Sequence, residues 1–352
     1  MMGTKVILNY PRLLMEVAGT AGWLHTLYIA LLAFIVFFII AKLYGRFEGK
    51  DLIDVGQYLG GNVVRVIVGM LTVMFMVFIS FSLLRMFAEQ MKILAYPGSP
   101  ITFIMIFFLA GMIAIGYFGL EPLVRFMAIL VPVSIIAFLT YLVLLAPYYD
   151  FSNLTPLFGK GLKSIFIDGI PMVSEMSELF FIFLIVPFVG SQKNFKNIGY
   201  GAIGLTTFFM LTMSIAYTCI FSYPVALEII LPAYEIGRII NYGRFFQRVE
   251  PLFIITWATM AFMYLGAAFY FSVYSFQKTF RLEHRKPMVL AFAVLIFTVS
   301  MLPANLMEDA NMIIVYFRYY SGILTFGVVI LILSAAVIKK RREKIIKIHK
   351  KK

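Results

Sequence analysis

The residues best able to carry chemistry lie together in Pro171-Met172-Val173-Ser174-Glu175-Met176-Ser177-Glu178. Two carboxylates three residues apart share a helical face. The run over 171–190 is apolar and long enough to cross a bilayer, despite its polar interruptions. At ~1.5 Å per residue, Glu178 falls on the order of 10 Å past Pro171. A carboxylate at such depth is costly unless it faces a cavity, pairs with a cation or holds a proton. The first and last states make Ser174, Glu175, Ser177 and Glu178 candidates for binding a ligand or carrying a proton. The second makes the glutamates structural, paired with Arg85, Lys92 or Arg318.

A second group opens the chain: Gly3-Thr4-Lys5, then Asn9-Tyr10-Pro11-Arg12 and Glu16. Glycine and proline so close together in an apolar segment predict a broken helix. Two interrupted segments, one near the start of each half of a ten-element protein, are the sequence sign of an inverted-repeat transporter bundle. In such a bundle the unwound backbone near the midplane makes the substrate site. Gly3, Thr4 and Lys5 therefore join the later four residues as ligand-binding candidates. Lys5 has two readings. It is a fixed cation partnered by Glu175 or Glu178, where related transporters use a bound sodium ion, or its ammonium snorkels to water.

The elements that must position these residues are membrane helices. The chain has 352 residues, 62% hydrophobic and 13% charged, whereas soluble domains carry roughly a quarter charged residues. Apolar stretches of spanning length cover 23–44, 63–94, 101–120, 123–148, 198–221, 252–278, 288–302 and 312–338. With 171–190 and a short piece over 5–18 they make ten elements. The expected fold class is an all-α polytopic membrane protein, a 5+5 inverted-repeat bundle with elements one and six broken. Residues 1–338 read as one transmembrane domain, and 339–352 as a basic cytoplasmic tail with nine Lys/Arg and one Glu. Such a tail anchors on anionic lipid, and no folded basic face points to nucleic acid. Placing the N-terminus inside gathers Lys42, Arg46, Lys50, Arg125, Lys193, Lys196, Lys278, Arg281, Arg285, Lys286 and the tail on one side. Only Lys160, Lys163, Arg238, Arg244 and Arg248 fall in the outer loops, so both termini are expected in the cytoplasm.

Other ionisable residues have narrower readings. Arg85 and Glu89, four residues apart, can neutralise each other and read as structural. Arg318, amid Tyr316, Tyr319 and Tyr320, holds a carboxylate or stacks on a ring. Within 222–250, Tyr234, Ile236, Ile239 and Ile240 recur at helical spacing around Glu235 and Arg238, predicting an amphipathic helix at the outer surface. The chain carries no G-x-x-x-x-G-K-[ST], H-E-x-x-H or G-x-S-x-G motif. A lone Cys219 and three scattered histidines supply no metal set. No enzyme chemistry, catalytic residue, metal or cofactor is expected.

Several motifs follow one another along the chain. Gly3-Thr4, Leu8-Asn9-Tyr10-Pro11-Arg12, Glu16 and Ala18-Gly19 form the first run, and Asp150-Phe151-Ser152-Asn153-Leu154 with Pro156-Leu157 the second. Leu231-Pro232-Ala233-Tyr234-Glu235 leads to Arg238-Ile239-Ile240, Gly243-Arg244-Phe245, Arg248-Val249-Glu250-Pro251-Leu252-Phe253 and Trp257, and Pro303-Ala304-Asn305 closes the series. In order and spacing they resemble the spore germination permease family, the integral-membrane B subunit of nutrient germinant receptors. That family belongs to the amino acid–polyamine–organocation transporter superfamily.

The resemblance implies a receptor subunit in the inner membrane of an endospore. It would bind a small germinant, an amino acid or sugar-like nutrient, and release dormancy together with A- and C-type subunits. Pro11, Arg12, Glu16, Tyr234, Glu235, Arg238, Arg248 and Glu250 would then be structural or partner-facing positions. Two departures stand out. Only Met1 and Met2 precede Gly3, so the first half of element one is expected to be missing from this sequence, and Lys5 stands where the family often has a small residue. Two other functions stay open: a proton- or cation-coupled amino acid permease, and a scaffold that binds no ligand.

Overall fold

The computed structural model describes residues 10–229, 231–241, 250–303 and 320–349, with backbone alone at 250–253 and 348. The described residues are helical with no strand. Hydrocarbon offers no partner for a peptide group, so a crossing segment must satisfy its own backbone hydrogen bonds. Helices α1 (Tyr10–Ala18) and α2 (Gly22–Tyr44) are joined by a 3-10 turn, Gly19–Ala21, and α3 (Leu52–Leu94), α4 (Ile101–Phe118) and α5 (Leu120–Leu144) follow. Beyond a loop come α6 (Phe180–Val189), α7 (Gln192–Ile220), the short α8 (Tyr223–Glu228) and α9 (Pro232–Ile239), then α10 (Glu250–Phe280), α11 (Lys286–Ser300) and α12 (Val329–His349). Among the described residues, eight helical stretches are long and apolar enough to cross a membrane, and α11 is a shorter apolar helix. This is a polytopic helical membrane protein.

Of the two expected breaks, the one at Gly3–Lys5 lies outside the described residues, and the one at Ser174–Glu178 falls in a 3-10 segment. Pro11 lies within α1. The chain turns at Gly19, whose φ of 63° suits glycine. The helix expected from residue 63 follows a break at Gly60 and Gly61, whose backbone leaves helical geometry, and a shorter helical piece from Leu52 precedes that break. The span expected over 171–190 is not one α-helix: Ile170–Leu179 is 3-10, and α6 begins only at Phe180. With the longer 3-10 rise of about 2.0 Å per residue, Glu178 lies ~14 Å past Pro171 rather than ~10 Å. A π-helical turn, Ile323–Val328, precedes α12, which runs on through Lys339 to His349.

The chain forms two compact units, each drawn from three segments. One comprises Met1–Leu31, Phe87–Val173 and Gly204–Ala267. Its core sets the Phe87 ring edge-on to the buried Trp257 at 5.6 Å and Phe108 against Phe262 at 4.8 Å. Helix α5 buries only Leu123 and Tyr141; apolar on every face, it suits contact with lipid. The other unit comprises Leu32–Met86, Ser174–Ile203 and Ala268–Lys352. There Phe75 meets Phe180 at 5.1 Å, Phe181 meets Phe271 at 5.6 Å, and Tyr44 stacks on Phe183 at 5.9 Å. Each such pair adds roughly 0.5–1.5 kcal/mol to plain area burial. These rings seat the segment that leads out of the acidic motif.

Candidate functional site

The acidic motif occupies the second half of the 3-10 segment. Serines 174 and 177 offer the backbone alternatives to the α-helical pattern, and tertiary partners take them up. Ser177 Oγ lies 2.8 Å from Ser321 Oγ, the Gly322 N–H donates to Ser174 Oγ at 3.2 Å, and Thr325 Oγ1 donates to the Ser177 carbonyl at 3.3 Å. Two irregular segments, one 3-10 and one π-helical, thus satisfy each other's polar groups where regular helices would leave none free. The approach needs a glycine: a Cβ on Gly322 would run into Ser174 Oγ. In a 3-10 helix residues three apart eclipse, so Glu175 and Glu178 stack on one face. Ser174, Glu175, Ser177 and Glu178 are all buried, Glu178 at 3% exposure. Ser174 and Ser177 thus meet residues 321–325, while Glu175 and Glu178 lie on the neighbouring face of the same buried segment. The matching calls at Gly3, Thr4 and Lys5 lie outside the described residues, as do Arg248, Arg318 and the Glu250 side chain.

The same unit holds an ionic cluster that sequence reasoning missed. Asp51 and Asp54 cap the start of α3 reciprocally, the Asp54 N–H donating to Asp51 Oδ1 at 3.0 Å and the Asp51 N–H to Asp54 Oδ2 at 3.2 Å. Lys278, in the last turn of α10, donates to Asp51 Oδ2 at 2.6 Å and to Asp54 Oδ2 at 2.7 Å, and the Tyr274 hydroxyl donates to Asp51 at 3.2 Å. Asp51 is fully buried, one residue ahead of the span. Burial pushes its carboxyl up to about 6, with Lys278 opposing the rise and Asp54 adding to it. Nearby, Arg65 Nε donates to the Thr279 carbonyl at 3.1 Å, closing the C-terminal end of α10. The available signal was an acid-x-x-acid pair at a helix start and a lysine closing a distant apolar span. Neither feature says that the two meet.

In the first unit, the loop after α5 caps α1. The last carbonyls of α1 have no helical partner, and three donors reach them: Lys160 Nζ to Glu16 O at 2.6 Å, Ser164 Oγ to Val17 O at 2.6 Å and the Lys160 N–H to Ala18 O at 3.2 Å. His25 Nδ1 lies 2.9 Å from Ile165 O, and the Tyr28 hydroxyl donates to Phe166 O at 3.0 Å. The loop is thereby held over the end of α1.

The remaining expected positions are placed plainly. Arg12 pairs with Glu16 at 3.3 Å one turn along α1, partly exposed, and such pairs contribute little. Arg85 is buried and Glu89 half-buried, one turn apart on α3. The amphipathic helix is α9, with Ile236 and Ile240 buried and Arg238 exposed, paired with Glu235 at 3.2 Å and lying over the Tyr234 ring at 5.9 Å.

Residues 1–308 match the spore permease family, described as spore germination protein. The chain is similar to spore germination protein YndE of Bacillus subtilis, 24% identical over 348 residues that cover 96% of this chain and 93% of that one. It is also similar to spore germination protein B2 of the same organism, 22% identical over 93% of this chain and 87% of the other. Spore germination protein A2, again from B. subtilis, is 25% identical over 89% of this chain and 85% of its own length.

Proposed function

This chain belongs to the spore germination protein family, and on that premise we propose that it is the membrane subunit of a nutrient germinant receptor. The observation that carries the reading is the buried 3-10 segment, where Ser174, Glu175, Ser177 and Glu178 sit in broken backbone. Midplane ligand sites are built on unwound backbone, and an ionisable residue buried within a span marks a functional position. In this reading the germinant is an amino acid or a sugar-like nutrient, bound with Gly3, Thr4 and Lys5 of the opening segment in a 5+5 inverted-repeat bundle. Binding shifts a two-state equilibrium, and A- and C-type subunits convert the shift into release of dormancy. The protein sits in the inner membrane of the endospore with both termini in the cytoplasm, and it needs neither cofactor nor catalysis. Arg12, Glu235 and Arg238 belong to the surfaces that hold the assembly.

The test replaces Glu175 and Glu178 singly by glutamine in spores and follows germinant-induced loss of optical density. Each variant should need at least tenfold more germinant, with the amount of membrane-embedded protein unchanged. Normal responses at every germinant concentration would remove both carboxylates from the site. Net uptake of an amino acid by the purified chain in proteoliposomes would favour the permease instead, and absence of germinant binding beside intact partners would favour a scaffold.

A further inference from the structure

Beyond the end of α2, the chain turns through residues 45–51 and leaves a cavity of about 410 Å³ lined by Arg46, Phe47, Glu48, Lys50, Tyr58 and Lys340. Its walls are fixed by lysines that answer stranded carbonyls. The kink at Gly60 and Gly61 frees the carbonyls of Tyr58 and Leu59, and Lys339 Nζ donates to them at 2.9 and 3.2 Å. Lys340 Nζ donates to the Arg46 carbonyl and lies 5.1 Å above the Phe47 ring. The carbonyls ending α2, which would repel an anion, are already engaged: Ala41 O by the Gly45 N–H and by Gln192 Nε2, Leu43 O by the Arg46 N–H, and Tyr44 O by the Phe47 N–H.

What is left facing the cavity is positive. Arg46 and Lys50 are exposed and make no ion pair with a described carboxylate, Lys50 lying 5.6 Å from the Tyr58 ring. The Glu343 carboxylate is held by the Tyr58 hydroxyl at 2.7 Å, and among the described residues Glu48 is the one acidic side chain lining the cavity against three basic ones. Guanidinium and ammonium groups around a concave floor of two aromatic rings match a phosphate ester. The volume falls in the range of small-molecule sites, roughly 300–1,000 Å³.

We propose that this cavity binds a phosphate ester, supplied by the headgroup of an anionic phospholipid. It opens immediately past an apolar span that ends at Tyr44, the depth at which a bilayer carries its phosphates. The expected lipid attraction of the basic tail is thus narrowed to one helical position, Lys340, working with two residues from a different part of the chain. This inference rests on the chain being a membrane protein and does not depend on germinant binding.

The experiment titrates phosphatidylglycerol into the full-length detergent-purified chain and counts bound lipid by native mass spectrometry. Arg46→Gln with Lys50→Gln is compared with Arg341→Gln and Lys344→Gln, which remove equal charge from α12 outside the cavity. One saturable lipid is expected on the wild type, weakened roughly fivefold per cation and about 25-fold in the cavity pair, with the outer pair changed less than twofold. Arg46→Lys with Lys50→Arg should retain binding, separating charge from folding. Equal weakening in both pairs, or no saturable lipid, overturns the proposal by reducing it to diffuse charge. Displacement of the lipid by glycerol 1-phosphate at matching concentration overturns the lipid source and assigns the cavity to a soluble phosphate ester. Phosphatidylcholine should not compete.

Discussion

Substituting Lys278 by methionine isolates the ionic cluster at the start of α3. Among the described residues, Lys278 is the one cation bonded to both Asp51 and Asp54, at 2.6 and 2.7 Å, and Asp51 is fully buried. Removing one member of a buried pair costs about 3–5 kcal/mol, because the other charge is left without compensation. Asp51 can escape by taking a proton, so the lower end applies, about 3 kcal/mol at pH 8. The sign with pH follows from the raised carboxyl. Asp51 sits at about 6, above its ordinary 3.8, so its contribution is present below about pH 4 and lost as pH rises through about 6. The contact with Lys278 has its full strength only when Asp51 is ionised, above that range. At pH 5 the wild-type carboxyl is already largely neutral, and the methionine variant loses chiefly the half-exposed Asp54 contact, about 1 kcal/mol. The groups facing Asp51 are Asp54, Lys278 and Tyr274, with Tyr44 also within its electrostatic reach. Equilibrium unfolding in mixed micelles, followed through Trp23 and the buried Trp257, reads the difference at pH 8 and pH 5. Adding Asp51→Asn to Lys278→Met should recover most of the loss at pH 8, since no buried charge then remains. A loss equal at both pH values, or a double variant no better than the sum of its singles, would refute the account of the cluster.

Ser164→Ala strips one donor from the end of α1, and about 1 kcal/mol of stability should go with it. Its clearest sign should be faster hydrogen exchange at two loop amides, the Lys160 N–H bonded to the Ala18 carbonyl of α1 and the Ile165 N–H bonded to the Gly161 carbonyl within the loop. Gly322→Ala should displace the π-helical turn from Ser174 and cost about 1–3 kcal/mol, whereas Gly98→Ala, with open space at its Cβ, should be neutral; thermal melts of the two variants check the contrast.

The membrane class, the spans and the acidic motif were legible in the sequence for one reason. A bilayer imposes a length and a polarity on every crossing segment, and a glutamate placed inside one stands out at once. The amphipathic α9 was equally plain, since its period of buried isoleucines is a local property. One break was legible where it falls, at Ser174–Glu178 within the 3-10 segment, whereas the turn at Gly19, where the loop residues Lys160 and Ser164 bond the last carbonyls of α1, was not.

Tertiary structure alone decided which polar groups meet. Ser174 and Ser177 find Ser321, Gly322 and Thr325 nearly half the chain away, and Asp51 finds Lys278 at a still greater separation. Arg46, Lys50 and Lys340, each an ordinary positive-inside residue when read along the chain, become one cavity because the kinked start of α3 and the end of α12 are packed side by side. Hydropathy is summed along the sequence and survives in any arrangement of helices. Hydrogen bonds and ion pairs act only over a few ångströms, so their partners are fixed by packing.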